Sequence, residues 1–500
     1  MKEVNEKIDT ILDLIMKLSK NGRQKNNYIE EGAEASVDIW EIVVKYKGNI
    51  REIARKLKAK VEILSEKCAI FSIEEEKIDL LLKYKEIKYI EKPKRLISSY
   101  ECNVDSWNKY TLEKYSQDGL KGNRVIIGMI DTGIDYTHLD FIKEDGKTRI
   151  LSIWDQSVHE GTPPKWFNKG SEWTRRDINK ALKSLRKNKS SFIIPHVDVT
   201  GRGTCRARVA AGNGRASKDK CIGIAPEADI IVVKLNSRGR DFFSNTTEFM
   251  RAVRYLIDKA KKLNRPLIIN TGFIIDENLR DGNSLFKSFI DDVIKEWTVT
   301  LVVPELDEDN IKYYTRDKIG ERKIKEIEFK VGKSEKVITL EIWKDFFDVI
   351  NFNITNPSGY TTGKINGNKD LTKIEIGTTE CYLYFKDPFP YDKDQEVFLL
   401  LIPEGENIEE GIWRLTLYGE QIVDGNYDIR FIPGEMEYEE AGFLESKAEE
   451  SLRIRSSTEQ MPMIDNYAYV MNTFKKLSSL QNPLFLPCIS NIQMFYRMYR

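Results

Sequence analysis

Apolar residues change rhythm along the chain, and each rhythm predicts a different kind of element. Near the N-terminus Ile8, Ile11, Leu12, Ile15 and Leu18 recur at helical spacing, which predicts an amphipathic helix. Packing on its own protein is the first expectation for such a helix, ahead of docking a partner. Residues 21–38, rich in Asn, Gly and Glu, read as a linker, so 1–38 form a helix and a tether. From Trp40 onward WEIVVKY reads as a strand, IREIARKLKA as a helix and VEILSEKCAIFSI as a strand pair. EEKIDLLLKY then reads as a helix and IKYIEKP as a strand. The order βαββαβ predicts a small split βαβ module over 39–96.

Over 97–310 the rhythm is that of buried strands alternating with helices. VIIGMID (125–131), IIVVKL (230–235), LIIN (267–270) and LVV (301–303) are short apolar runs. Between them Phe249, Val253, Leu256, Ile257 and Ala260 line one helical face. Leu285, Phe289, Ile290, Val293 and Ile294 line another. This alternation predicts an α/β fold with a parallel sheet flanked by helices. From 311 to 433 short alternating runs split by Gly, Pro, Asn and Asp predict an inserted all-β region, a sandwich or jelly roll. Residues 434–500 show little periodicity.

Charge narrows the picture by exclusion. Lys+Arg and Asp+Glu are both 79, a balance that gives no support to nucleic-acid or anionic-membrane binding. No long apolar run opens the chain, so neither a secretory signal nor a membrane span is expected there. The six cysteines, Cys68, Cys102, Cys205, Cys221, Cys381 and Cys488, have no paired or metal-ligand spacing. They are expected to be free thiols in a reducing compartment, with no metal and no cofactor. In a parallel sheet functional groups collect at the carboxyl ends of strands, where Asp131 and Asn270 stand.

Several segments in order resemble the subtilase superfamily, and most closely its clostridial spore-germination (Csp) branch. They are VIIGMIDTGIDYTHLDF, DGKTRILSIWDQS, GRGTCRARVAAGNG, IGIAPEADIIVVKL, PLIIN and DGNSLFKSFID. The resemblance also takes in 39–96 as a propeptide-like module and the β insert as a jelly-roll domain. It implies a subtilisin-like site: a buried Asp that orients a His, a His that activates a Ser, and an Asn amide for the oxyanion.

Asp131 in DTGID matches the triad Asp. The family's G-H-G-T-H-V-A-G reads here as Gly201 to Arg208, which puts Cys205 at the His position and Arg202 at the preceding His. Of the three histidines, His138, His159 and His196, the first and last are read as ordinary polar residues. No G-T-S motif supplies the Ser, and Ser456 and Ser457 match only the segment before it. The C-terminal part of the subtilase fold reads as truncated. Asp307 falls at the oxyanion Asn position, and Asn270 and Gly272 fall in the substrate-strand motif.

Cys205, beside Arg202, Arg206 and Arg208 at a helix start, is weighed as a reactive thiol and expected instead to be an apolar filler. Within the branch, active members cut a cortex-hydrolase precursor and inactive ones regulate that step. The expectation is therefore a catalytically inactive pseudoprotease, made in the cytoplasm and spore-associated. Its partner is expected to be another Csp-type subtilase or that enzyme's cortex-hydrolase substrate. The propeptide-like module is expected to stay attached in the would-be cleft. Residual or complemented serine endopeptidase activity and a decayed remnant are the alternatives.

Overall fold

The computed structural model describes residues 7–18, 39–98, 121–187, 194–219, 221–236, 244–274, 284–302, 312–366, 371–385, 394–433 and 441–445. The chain divides into two units. One comprises Met1–Val61, Ala69–Pro93 and Leu306–Arg455; the other comprises Glu62–Cys68, Lys94–Glu305 and Ser456–Arg500.

The N-terminal helix α1 (Thr10–Lys17) is capped by Asp9, whose carboxylate accepts the Leu12 N–H at 2.7 Å. Its apolar face is covered within the first unit, as the simpler expectation had it. Ile8, Leu12, Leu14 and Ile15 are buried, and Tyr384 donates its hydroxyl to Asp13. The module that follows runs β1 (Ile39–Tyr46), α2 (Ile50–Leu57), β2 (Lys60–Ile63), β3 (Cys68–Glu74), α3 (Ile78–Leu82) and β4 (Ile87–Glu91). Its sheet has the order β2-β3-β1-β4, and Ile8 bridges to Ile90 at the β4 edge.

A short strand, β5 (Arg95–Ser98), follows the module and opens the described part of the second unit's α/β region. Then come β6 (Ile126–Asp131), β7 (Ile150–Asp155), β8 (Ser171–Thr174), α4 (Arg175–Arg186), α5 (Arg202–Ala211), β9 (Asp229–Lys234) and β10 (Ser244–Asn245). The order continues with α6 (Thr246–Leu263), β11 (Leu267–Thr271), β12 (Phe273–Ile274), α7 (Leu285–Ile294) and β13 (Val299–Val302). Six strands form one sheet in the order β13-β11-β6-β9-β7-β8. Every pairing in it is parallel except β7 with the edge strand β8. Because β6 lies inside the sheet, all six of its residues are buried, which explains its unbroken apolar run. Ile127, Met129, Ile230 and Val232 pack with Ala207, Ala210 and Ala211 of α5. The small alanines let that helix lie close to the sheet.

The β-rich region has β14 (Tyr314–Lys318), β15 (Ile324–Val331), β16 (Ile338–Asp345), β17 (Val349–Thr355) and β18 (Leu371–Ile376). It continues with β19 (Thr379–Phe385), β20 (Asp394–Pro403), β21 (Gly411–Gln421), β22 (Asn426–Pro433) and β23 (Gly442–Phe443). These make two antiparallel sheets, β14-β22-β16-β20-β19-β18 and β17-β21-β15-β23. Ring pairs such as Phe329–Phe431 and Phe352–Phe385 join one sheet to the other at centroid distances of 5.8 and 5.6 Å.

Candidate functional site

Asp131 is the last residue of β6 and is fully buried. One carboxylate oxygen accepts the N–H of Thr132 at 2.8 Å. A guanidinium reaches both oxygens: Arg206 Nη1 lies 3.0 Å from Oδ1 and 2.9 Å from Oδ2. Arg206 belongs to α5 and is 4% exposed. An arginine keeps its charge at any accessible pH, so this carboxylate faces a fixed cation.

Gly272, just past β11, makes room for the pair. A Cβ there would fall 2.2 Å from both Arg206 Nη1 and Asp131 Oδ2. The backbone N–H of Gly272 donates to Ile130 O at 3.0 Å, which pins this close approach. Asn270 is buried within β11 beside Met129 of β6. Three sequence-selected positions, Asp131, Asn270 and Gly272, therefore come together. Asp307, Ser456 and Ser457 lie outside the described residues.

The side chain that meets Asp131 is Arg206, one residue beyond Cys205 on the helix. Arg202 and Cys205 stand where the motif's two histidines would be, and Asp131 has no histidine among its partners. The expectation of six free thiols is corrected: Cys205 is disulfide-bonded, while Cys68, Cys221 and Cys381 are in no disulfide. A sulfur held in a disulfide carries no thiolate, so the reactive-thiol idea has no nucleophile to start from.

Asp198 escaped the sequence reading, and His196, read there as an ordinary polar residue, has a definite place. Asp198 organises the start of α5: its carboxylate accepts the Thr204 N–H at 2.7 Å, the Thr204 hydroxyl at 2.6 Å and the Thr132 hydroxyl at 2.8 Å. This ties the loop after Asp131 to the helix that carries Arg206. His196 is buried with Asp155, its Nδ1 2.6 Å from Oδ2. Its Nε2 accepts the Ile134 N–H at 3.1 Å, which leaves Nδ1 to donate to Asp155. Burial pushes the Asp155 carboxyl up, but the hydrogen bond from His196, the charge of Lys234 and the Ser157 hydroxyl outweigh it and hold the carboxyl below its usual range. With both nitrogens engaged, His196 braces the Asp131 loop and has no lone pair to offer as a base. Asp198 did not announce itself in the sequence, since an isolated Asp in a loop carries no periodic signal.

Beside this centre lies a slot of the kind that holds an extended chain. β10 and β12 are its two edges, and β5 pairs antiparallel with both. Ser244 pairs with Leu96, Asn245 with Arg95, Phe273 with Ser98 and Ile274 with Ile97. The slot is filled by the chain itself, in the manner of strand addition to a sheet edge. Among the described residues no cluster of His, Cys, Asp and Glu suits a metal ion. No helix among them is long and apolar enough to cross a membrane.

Residues 6–94 match the Csp protease B prodomain family, and residues 122–272 match the subtilase family. The CspB protease of Clostridium perfringens is similar in structure, with a TM-score of 0.59 and 26% identity over 69% of this chain and 67% of that one. The S41 psychrophilic protease (21% identity, 41% of this chain and 52% of that one, TM-score 0.25) and sphericase (18%, 40% and 50%, TM-score 0.26) also match. No curated protein sequence matches the chain.

Proposed function

We propose, from the premise that this chain is a subtilisin-like protein of the Csp branch, that it works as a pseudoprotease: a regulator that binds rather than cuts. The observation that carries this reading is the Arg206–Asp131 pair. Catalysis by a serine protease needs the buried Asp to hold an imidazole that alternately takes and gives a proton. A guanidinium has no lone pair to take one and does not deprotonate. Its Nη1 donates to both oxygens of Asp131 and so stands where an imidazole N–H would have to donate.

The filled slot supports the same reading, since β5 sits where an extended substrate would have to lie. The partner proposed is another subtilase of the branch, or the cortex-hydrolase substrate of such an enzyme, and the process is spore germination. Similarity to a named protease and to the subtilase family favours the second reading, residual endopeptidase activity.

Intact mass of the purified full-length chain, beside an Asp131→Ala variant, decides between them. A single uncut mass in both is expected. A cut between residues 93 and 104 that disappears in Asp131→Ala would mean that the chain processes itself, and the pseudoprotease reading would be wrong.

A further inference from the structure

We infer that the buried pair Glu62–Arg251 is a latch that keeps β5 seated in the slot between β10 and β12. The inference deepens the reading above: if the slot serves binding, whatever holds β5 in it sets when the slot can be used.

Helix α6 connects the two places. Its first residue, Thr246, grips the chain entering β5. The Thr246 N–H donates to Lys94 O at 2.9 Å, and its hydroxyl accepts the Lys94 N–H at 3.0 Å. Immediately before it, Ser244 and Asn245 form the slot edge that pairs with Leu96 and Arg95. Glu248 ties this edge to the helix: its carboxylate accepts the Asn245 N–H at 3.1 Å and the Ser244 hydroxyl. The edge and the first turn of α6 are thus one piece.

Five residues after Thr246, Arg251 is 2% exposed and donates through Nε to Glu62, itself 6% exposed. The other Glu62 oxygen accepts the Asn168 N–H at 3.0 Å. Residues 62–68, β5, the 158–170 loop and α6 all belong to the second unit. Removing the Glu62 carboxylate takes a charge-assisted hydrogen bond from a guanidinium that water does not reach, which is unfavourable. The helix is then expected to shift toward solvent and to carry the slot edge away from β5.

The test uses the full-length chain. Amide hydrogen exchange is measured at 95–98, together with binding of a fluorescein-labelled synthetic peptide of residues 93–100, PKRLISSY. The wild type is expected to exchange slowly there and to ignore the peptide. Glu62→Gln, which keeps shape but drops the charge, and Arg251→Met are each expected to speed exchange at 95–98 by at least about tenfold and to admit the peptide. Loss of global stability with unchanged protection at 95–98 and no peptide binding would reduce the pair to an ordinary core contact and overturn the latch.

Should neither variant fold, the wild type alone decides. Across low denaturant concentrations the Asn168 and Leu96 amides must open with one common free energy, and separate openings overturn the proposal. Peptidase activity assayed alongside keeps the two ideas apart. Cleavage would sink the pseudoprotease reading without touching the exchange result, whereas altered coupling without cleavage bears on the latch alone.

Discussion

Arg206 brings a permanent charge into a place that water does not reach, and the carboxylate of Asp131 lies 2.9 Å from it. Breaking such a pair from one side costs far more than deleting both members. Arg206→Leu is expected to lower unfolding stability by about 3–5 kcal/mol, and Arg206→Leu with Asp131→Leu to recover most of that loss. Denaturant unfolding of the single and double variants checks the coupling; additive losses would mean that the two side chains do not depend on each other.

Lys344 makes a second residue-scale case. It is 2% exposed, and its Nζ donates to the carbonyls of Asp345 at 3.2 Å and Asp348 at 2.6 Å. Burial pushes its ammonium down from 10.5 to about 8, with Asp348 and Asp345 only partly opposing the shift. Below about pH 8 both folded and unfolded chains carry the proton, and this group adds no pH dependence. Between about 8 and 10.5 the unfolded chain binds more protons, so stability rises with pH. Relative to Lys344→Met, the wild type is expected to gain about 2–3 kcal/mol over that window. Denaturation midpoints at pH 7.5, 9 and 10 read the difference; parallel curves for the two proteins would refute it.

At the scale of elements, what was legible depended on length and burial. The strands around Asp131 are placed by the sequence within a residue or two, and helices α6 and α7 are long enough for their apolar faces to repeat. β5 is four residues with no alternation, and its partners β10 and β12 are two residues each. Such strands exist because a ladder forms around them, which local pattern cannot report. The same limit hid Arg206. The motif directs attention to Arg202 and Cys205, but the helix turns position 206 toward Asp131.

α5 is the element on which that geometry rests, and two substitutions probe it. Asp198→Ala removes a cap that joins its first turn to the Asp131 loop, with an expected loss of about 1–2 kcal/mol. Gly272→Ala places a methyl between Asp131 and Arg206 and is expected to cost about 1–3 kcal/mol. If thermal unfolding of Gly272→Ala matches the wild type, the pair is not packed as described.

At the scale of the whole molecule the chain does not fold in the order in which it reads. The resemblance indicates a propeptide-like module followed by a subtilisin-like part, as though the two were successive beads. Instead residues 62–68, from within the module, belong with the α/β unit, and the rest of the module belongs with the β-rich region more than two hundred residues later. Sequence motifs could not reveal this sharing, because the residues responsible, Glu62 among them, look like ordinary surface charges in a strand. A chain beginning at residue 121 would lack β5 from its slot and Glu62 from Arg251. It would also leave the β-rich region without α1, whose Asp13 receives the Tyr384 hydroxyl. Each unit would thus lose buried partners at the same time, with uncompensated charge in one and uncovered apolar surface in the other. The expected outcome is a chain that fails to reach the native state on its own, seen as strong binding of a hydrophobic dye and loss of near-ultraviolet circular dichroism. If it instead unfolded cooperatively at the temperature of the full chain, residues 1–120 would be dispensable to both units, and the interleaving would have no energetic weight.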